Sequence, residues 1–356
     1  MGLSDADRNH PSVLMLAIAH GLAVAHPLVR EEINDRLRAD WSILGARLED
    51  QFQELVIQPV AKRCARHIAA DHHFTFEDPT LIIIDGLDEC GDEDTQLRIL
   101  SAISSVYQQY PRFPLRFLVC SRPEAWIREA FGALPLSDAT RVIMLDKKFN
   151  PDRDISRYYM REFHDIRRSA KYRNVSFPDP WPSIGDFRHL VRSSDGQFAY
   201  ASTTVRFVRL PFSNPQNQLR LVLGIDPRSD HQPSGSPFIT LDPLYFMILH
   251  SNPNRDQVLP ILAAILIIKN HTSPDFIELL LGLSPGDVSL ALRALHSVLD
   301  IRGRSDNITV FHTSFTDYLF DRTRSGDFFI DRDAQHKFLA QQWLQALSSS
   351  RIRSYK

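Results

Sequence analysis

The segment Leu81-Ile82-Ile83-Ile84-Asp85-Gly86-Leu87-Asp88-Glu89 decides how the chain is read. Its first four residues form a continuous apolar run, rich in β-branched side chains and preceded by Asp78-Pro79. Such a run suits a strand covered on both faces, as in parallel sheets. The exit of the strand is acidic. In open α/β sheets ligands sit outside the carboxyl ends of the strands. A carboxylate there can hold Mg²⁺ through water beside nucleotide phosphates, which makes Asp85 the candidate metal ligand. Gly86 keeps the next position small. Asp88 and Glu89 bring two more carboxylates to the same rim, and one of them could orient or deprotonate an attacking water. The plainer alternative is a strand followed by an acidic turn.

Downstream, Asp92 to Tyr110 reads as a helix that Pro111 and Pro114 break, and Leu115 to Cys120 reads as a second strand. A strand, a helical crossover and a strand make a βαβ unit, so the two strands are expected to be parallel. The second strand runs into Cys120-Ser121-Arg122-Pro123. An arginine at that exit could reach a γ-phosphate, or be a surface residue before a proline turn. Arg141 to Leu145 predicts a third strand, and residues 11–70 read as helical. Residues 1–150 are therefore expected to form an α/β domain.

Beyond Asn150 strands become rare. Asp154 to Arg173 predicts a helix with a basic end (Arg167, Arg168, Lys171, Arg173), which is either a patch for an anionic partner or a solvated face. Asp186 to Arg209 predicts two helices around Ser194-Asp195-Gly196, giving a helical domain over 151–225. Asp226 to Pro237 is dense in Pro, Ser, Asp and Gly and reads as a linker, taken as 226–240. Ser273-Pro274 and Ser284-Pro285 each look like an N-cap followed by proline at the first helical position. A helix from Gly286 to about Leu299, a hairpin over Ile301 to Phe311 turning at Ser305-Asp306-Asn307, and helices at Ser314 to Phe320 and Asp333 to Leu347 outline a winged-helix-like domain over 241–356. The expected fold class is thus α/β, an incomplete parallel sheet followed by an all-helical and a winged-helix domain.

Composition bounds the functions. The 356 residues carry 41 Lys+Arg against 43 Asp+Glu, a formal net charge of −2, so the excess of cations that marks many nucleic-acid binders is missing. Hydrophobic residues are 43% and charged residues 24%, enough for a sizeable core. Cys64, Cys90 and Cys120 form no Cys-x-x-Cys, which supports neither a disulfide framework nor a cysteine zinc site and points to a reducing, cytoplasmic setting. The apolar stretch Val13 to Ala25 follows Asp5, Asp7 and Arg8 rather than a basic n-region, and Val258 to Ile268 is far short of the ~20 residues that span a bilayer. No membrane partner is expected. His72-His73 are adjacent and do not share a helix face, so no metal site is expected there.

The string Asp85-Gly86-Leu87-Asp88-Glu89, followed by a strand and Ser121-Arg122-Pro123-Glu124, resembles the NACHT class of STAND NTPases. More narrowly, it resembles the fungal NACHT proteins whose nucleotide domain is called nephrocystin-3-like. Arg8-Asn9-His10, Leu48-Glu49-Asp50-Gln51-Phe52, Ser194-Asp195-Gly196-Gln197-Phe198 and His312-Thr313-Ser314-Phe315 follow in family order. The resemblance implies a nucleotide-dependent signalling switch, with Mg²⁺ and ATP or ADP as its cofactors. It implies Asp85 as the magnesium carboxylate, Asp88 and Glu89 as the hydrolytic acids and Arg122 as the phosphate sensor. His312 matches the winged-helix histidine that touches the β-phosphate; a buried, hydrogen-bonded histidine is the alternative. Other proteins, including full-length NACHT relatives, would be the partners.

One part of that pattern is missing. The family's phosphate loop has the form Gly-x-x-x-x-Gly-Lys-Ser/Thr, and none of the seven lysines follows a glycine. Gly86 and Gly91 have the right spacing, but Asp92 and Glu93 follow them, and an acidic site would repel phosphate. The chain is expected to begin just after the loop, because Arg8-Asn9-His10 lies downstream of it in the family. Without the loop, nucleotide binding is expected to be weak or absent, and a non-catalytic protein-interaction module is the second reading. A winged-helix DNA binder is a third. Its recognition helix would carry only Arg293 and His296 as basic side chains, against Asp287, which is too few for major-groove reading.

Overall fold

A computed structural model describes residues 11–69, 80–110, 113–145, 147–211, 213–224, 239–252, 255–268 and 271–348. The chain is mostly helical and divides into two compact units, Met1–Met144 and Leu145–Lys356. Arg8-Asn9-His10, His72-His73 and the linker stretch Asp226 to Pro237 lie outside the described residues.

The first unit opens with α1 (Pro11–Ala25) and α2 (Pro27–Ala39). Proline suits the first helical turn, where its missing N–H has no partner to lose, and Arg36 and Arg38 in the last turn of α2 complement the helix dipole. A short helix α3 (Leu48–Phe52) passes through a π-helical turn, Gln53–Ile57, into α4 (Gln58–Ala69). Strand β1 (Thr80–Asp85), helix α5 (Glu93–Gln109) and strand β2 (Leu115–Cys120) follow, then α6 (Ala125–Gly132) and α7 (Leu136–Ala139). Asp92 caps α5 by accepting from the Thr95 N–H, and Glu93 and Asp94 occupy its first turn.

Strands β1 and β2 pair in parallel, from Thr80 opposite Leu115 to Asp85 opposite Cys120, as the βαβ pattern requires. The core lies on one face of this ribbon. Ile82, Ile84, Leu115, Phe117 and Val119 join a cluster built with Met15, Leu55, Val60, Ile99 and Ile103. Phe52 of the α3 region and Tyr107 of α5 both meet the Phe117 ring edge-on, at 6.2 and 6.4 Å between centroids. Arg98 of α5 grips Glu49 of α3 through both carboxylate oxygens, at 2.7 and 2.8 Å.

Two expectations fail here. The strand Leu81–Ile84 is not covered on both faces: Leu81 is 55% and Ile83 62% exposed, and Leu118 of β2 is 44% exposed beside them. The third strand, Arg141–Leu145, is not a strand. It has no ladder partner among the described residues, and Val142 to Leu145 are 59–85% exposed. Its β-branched composition satisfies the local preference, but a strand is completed only by a neighbour. No strand lies on the other side of β2 among the described residues.

The second unit is built from α8 (Pro151–Arg168), α9 (Ile184–Ser194), α10 (Phe198–Val208), α11 (Pro215–Leu223), α12 (Asp242–His250), α13 (Arg255–Ile268), α14 (Pro274–Leu281) and α15 (Asp287–Ala291). A two-residue hairpin, β3 (Leu299–Asp300) with β4 (Thr309–Val310), precedes α16 (Thr313–Phe320), α17 (Arg322–Ser325) and α18 (Arg332–Ser348). One apolar cluster runs from Ile155 to Leu339 and draws on both sides of residues 226–240. The turn between α9 and α10 takes Asp195 and Gly196 into the left-handed region, at φ 42° and 78°. A Cβ on Gly196 would stand 2.9 Å from Pro151 Cγ, so glycine is required twice over.

Ser273-Pro274 opens α14 as expected, with the Ser273 hydroxyl accepting from the Phe276 N–H. Ser284-Pro285 does not open a helix. Gly286, at φ 99°, caps the five-residue α15, which gives way to a 3-10 turn at Arg293–Leu295. The long helix expected from Gly286 to Leu299 is therefore absent, because the chain must turn early to enter the hairpin. The basic end of α8 is partly spent within the unit. Arg167 pairs with Asp179 at 3.2 Å, and Lys171 donates to the Arg209 carbonyl at 3.1 Å.

Candidate functional site

The site grows from the end of β1. Asp85 is the last residue of the strand and is exposed, opposite Cys120. Gly86 follows at φ 76°, a left-handed turn that starts a 3-10 helix, Leu87–Glu89. The Gly86 N–H continues the parallel ladder by donating to the Cys120 carbonyl at 3.0 Å. Leu87 is fully buried and pins the turn to the core. With Leu87 inward, Asp88 faces the end of β2 and Glu89 stays at the surface.

Asp88 does not present a free carboxylate. Its Oδ1 accepts the Arg122 backbone N–H at 3.0 Å and the Ser121 hydroxyl at 3.2 Å. Its Oδ2 lies 3.3 Å from Arg122 Nε, with the Asp88 side chain 9% and the Arg122 side chain 23% exposed. The register of β1 and β2 makes this contact, since it sets residues 34 apart in sequence at the same end of the ribbon. Two residues that sequence reasoning placed on opposite roles, a hydrolytic acid and a phosphate sensor, hold each other.

A second layer steadies the turn. The Gln96 side-chain amide of α5 donates to the Asp88 carbonyl at 3.0 Å, and the Trp126 indole N–H of α6 donates to Gln96 Oε1 at 2.8 Å. Gln96 is 3% exposed, so both ends of its amide need partners and find them. Sequence reading missed Gln96, Trp126 and Ser121. A lone glutamine on the apolar stripe that includes Ile99 and Leu100 was the available signal. Burial pushes the nearby Cys90 thiol up, and the charges of Glu89 and Asp88 add to that effect.

Asp88 is committed to Arg122, no glycine-lysine loop exists in the sequence, and no group of three or more His, Cys, Asp or Glu converges on one point among the described residues. Asp85 and Glu89 lie exposed at the rim.

His312 lies in the second unit. It is the N-cap of α16: its Nδ1 accepts the Ser314 N–H at 3.2 Å and sits 2.6 Å from the Ser314 hydroxyl. Ser314 is fully buried and bonds the Tyr245 hydroxyl at 2.8 Å. Burial drives the Tyr245 phenol up to about 12, so it stays protonated. Beside it, Arg324 grips Asp242 through both oxygens, at 3.0 and 2.7 Å, with both side chains buried. His312 thus serves a buried hydrogen-bonded network. His296, one of the two basic side chains considered for DNA reading, is half-buried, and desolvation lowers its pKa.

A family model described as Nephrocystin 3, N-terminal, matches residues 3–122, about a third of the chain. The matched stretch takes in β1, α5, β2 and the Asp88–Arg122 pair, and this part of the chain is similar to that family. No curated protein and no solved structure matches the chain. Among the described residues no helix is long and apolar enough to cross a membrane.

Proposed function

We propose that this chain is a signalling module derived from a NACHT-type nucleotide switch, that it has little or no ATP binding as it stands, and that it acts through contacts with other proteins. The observation that carries this reading is the closed Asp88–Arg122 pair. In a working switch an acid would face the attacking water and a cation would face the γ-phosphate. Here each group is the other's partner, so a nucleotide would first have to break their bonds. The absence of a Gly-Lys pair supports the same reading. Each backbone N–H or lysine contact to phosphate contributes about 1.5–3 kcal/mol. Losing three of them removes roughly 5–9 kcal/mol, or about three to six decades of affinity at 1.4 kcal/mol per decade. The similarity of residues 3–122 to the nephrocystin-3 N-terminal family supports action through protein contacts. In this reading the C-terminal helices and hairpin are a winged-helix-like domain.

The test is calorimetric titration of the full chain with Mg·ATP and Mg·ADP. The expected result is no saturable binding below millimolar nucleotide. Saturable binding with a micromolar Kd would overturn the proposal.

A further inference from the structure

We propose that the groove between α8 and α9 is a docking site for an acidic amphipathic helix of another protein. The inference rests on the protein-contact reading above and supplies the chemistry of a partner.

The sequence of α8 sorts its charges onto one side. Each residue of an α-helix turns by about 100°, so Arg153, Arg157, Arg161, His164 and Arg168 fall within about 80° of one another. The buried stripe of Ile155, Tyr159, Phe163 and Ile166 lies on the opposite side. All five basic residues are exposed. Asp154 and Asp165 border the basic stripe on one flank, within 3.5 Å of Arg157 and His164, and no acid lies inside it.

Helix α9 adds a second wall. It packs on α8 through Phe187, whose ring meets that of Tyr159 edge-on at 6.4 Å between centroids. Gly196, just past its end, stands against Pro151 at the start of α8, so the two helices run in opposite directions. The open groove between them is lined by Ser156 of α8 and by Phe187, Arg188, Val191 and Arg192 of α9. Phe187 and Val191 give it an apolar floor. Arg188 and Arg192, four residues apart and exposed, form one bank. On the other bank Arg153 and Met160 stand three residues before and four after Ser156, on the same side of α8. Met160 is 56% exposed.

Shape and charge together choose the occupant. An apolar floor between cationic banks complements a helix whose apolar stripe is flanked by Glu or Asp. The cations on both banks are arginines, and a guanidinium binds a carboxylate through two parallel bonds. Arginines four apart are spaced by about 6 Å along the axis, as are carboxylates four apart on a partner helix. The walls are helices whose backbone groups are paired internally, so an extended strand would find no ladder, while a helix brings its own backbone bonds. A bilayer is flat and does not reach a floor between two helices. A nucleic-acid backbone has no apolar stripe to lay on Phe187, Val191 and Met160, and Asp154 and Asp165 would repel its phosphates.

The experiment uses the full chain and a fluorescent synthetic helical peptide of about three heptads, with leucine along one stripe and glutamate on both sides of it. Anisotropy is expected to show saturable binding, and a scrambled peptide of the same composition should bind at least about tenfold more weakly. Arg153→Glu with Arg188→Glu reverses one charge on each bank. Both residues are exposed, and a glutamate in the first turn of α8 suits the helix dipole, so the variant should keep its circular dichroism. It should bind the glutamate peptide at least about tenfold more weakly, and it should bind the matching lysine peptide better than the unmodified chain does. Arg141→Glu, an exposed reversal in the first unit, should change neither. No peptide binding, equal binding of the scrambled peptide, or indifference to the double reversal would each overturn the proposal. So would phosphatidylserine vesicles or duplex DNA held more tightly than the peptide and released by the same reversal, or self-association through the groove that excludes the peptide. All of these are read without nucleotide, so this inference can fail while the proposed lack of Mg·ATP binding stands.

Discussion

Removing the Asp88 carboxylate should loosen the end of the ribbon by an amount that the geometry sets. Three donors meet that carboxylate: the Arg122 N–H at 3.0 Å, the Ser121 hydroxyl at 3.2 Å and Arg122 Nε at 3.3 Å. The first is a bond to a charged, largely buried acceptor and contributes about 1.5–3 kcal/mol. The second is longer and exposed, about 0.5 kcal/mol. The third is an ion pair partly open to water, about 0.5–1 kcal/mol. Asp88→Ala should therefore cost roughly 3 kcal/mol locally, or about a hundredfold in protection of the Arg122 amide against hydrogen exchange. Asp88→Asn keeps a carbonyl acceptor for the N–H and should cost only about 1 kcal/mol. Arg122→Ala removes the ion pair but spares the backbone bond, so it should also cost about 1 kcal/mol. Exchange of the Arg122 amide, followed by NMR in the three variants, reads this order directly. If Arg122→Ala released the turn as much as Asp88→Ala, the backbone bond would not be the main tie. If neither variant changed exchange, the closed pair would not exist in solution.

Three further outcomes follow from named contacts. Burial lowers the pKa of His296 below its ordinary 6.5, so the unfolded chain binds more protons in that window, and stability should fall as pH drops from about 6.5 through the depressed folded value; in His296→Gln, thermal unfolding between pH 7 and pH 5 should lose this part of the slope. Gly86→Ala meets only Glu89 side-chain atoms at 3.7 Å, so its cost is the left-handed backbone alone, about 1–2 kcal/mol in urea unfolding of the first unit. Asp242→Ala leaves Arg324 charged and buried without its partner, so the second unit should lose about 3–5 kcal/mol in the same assay, and Asp242→Asn less.

The parts of this fold that sequence revealed are those decided within a few residues. The apolar runs at Leu81 and Leu115, the helix that begins at Asp92, the Ser273 cap and the break between helices at Ser194-Asp195-Gly196 all appear where local chemistry puts them. Arg141–Leu145 has strand chemistry too, but it lacks the neighbour that a ladder needs, and neighbours are a tertiary fact. The same limit governs the site. Asp85, Asp88, Glu89 and Arg122 were all legible as the residues at the strand exits. That Asp88 and Arg122 would close on each other depends on the register between two strands, which no single stretch encodes. Gln96 and Trp126 act through a side-chain relay between two helices, and only the misplaced polarity of Gln96 hinted at it.

The account stands on Asp88 being spent on Arg122 rather than offered to a nucleotide. Its most direct test is the Arg122 Nε–H resonance of the full chain, followed by NMR with labelled arginine while Mg·ATP is added. The account predicts a protected signal that Asp88→Asn shifts and that millimolar Mg·ATP leaves in place. A signal that moves and saturates at micromolar Mg·ATP would contradict it.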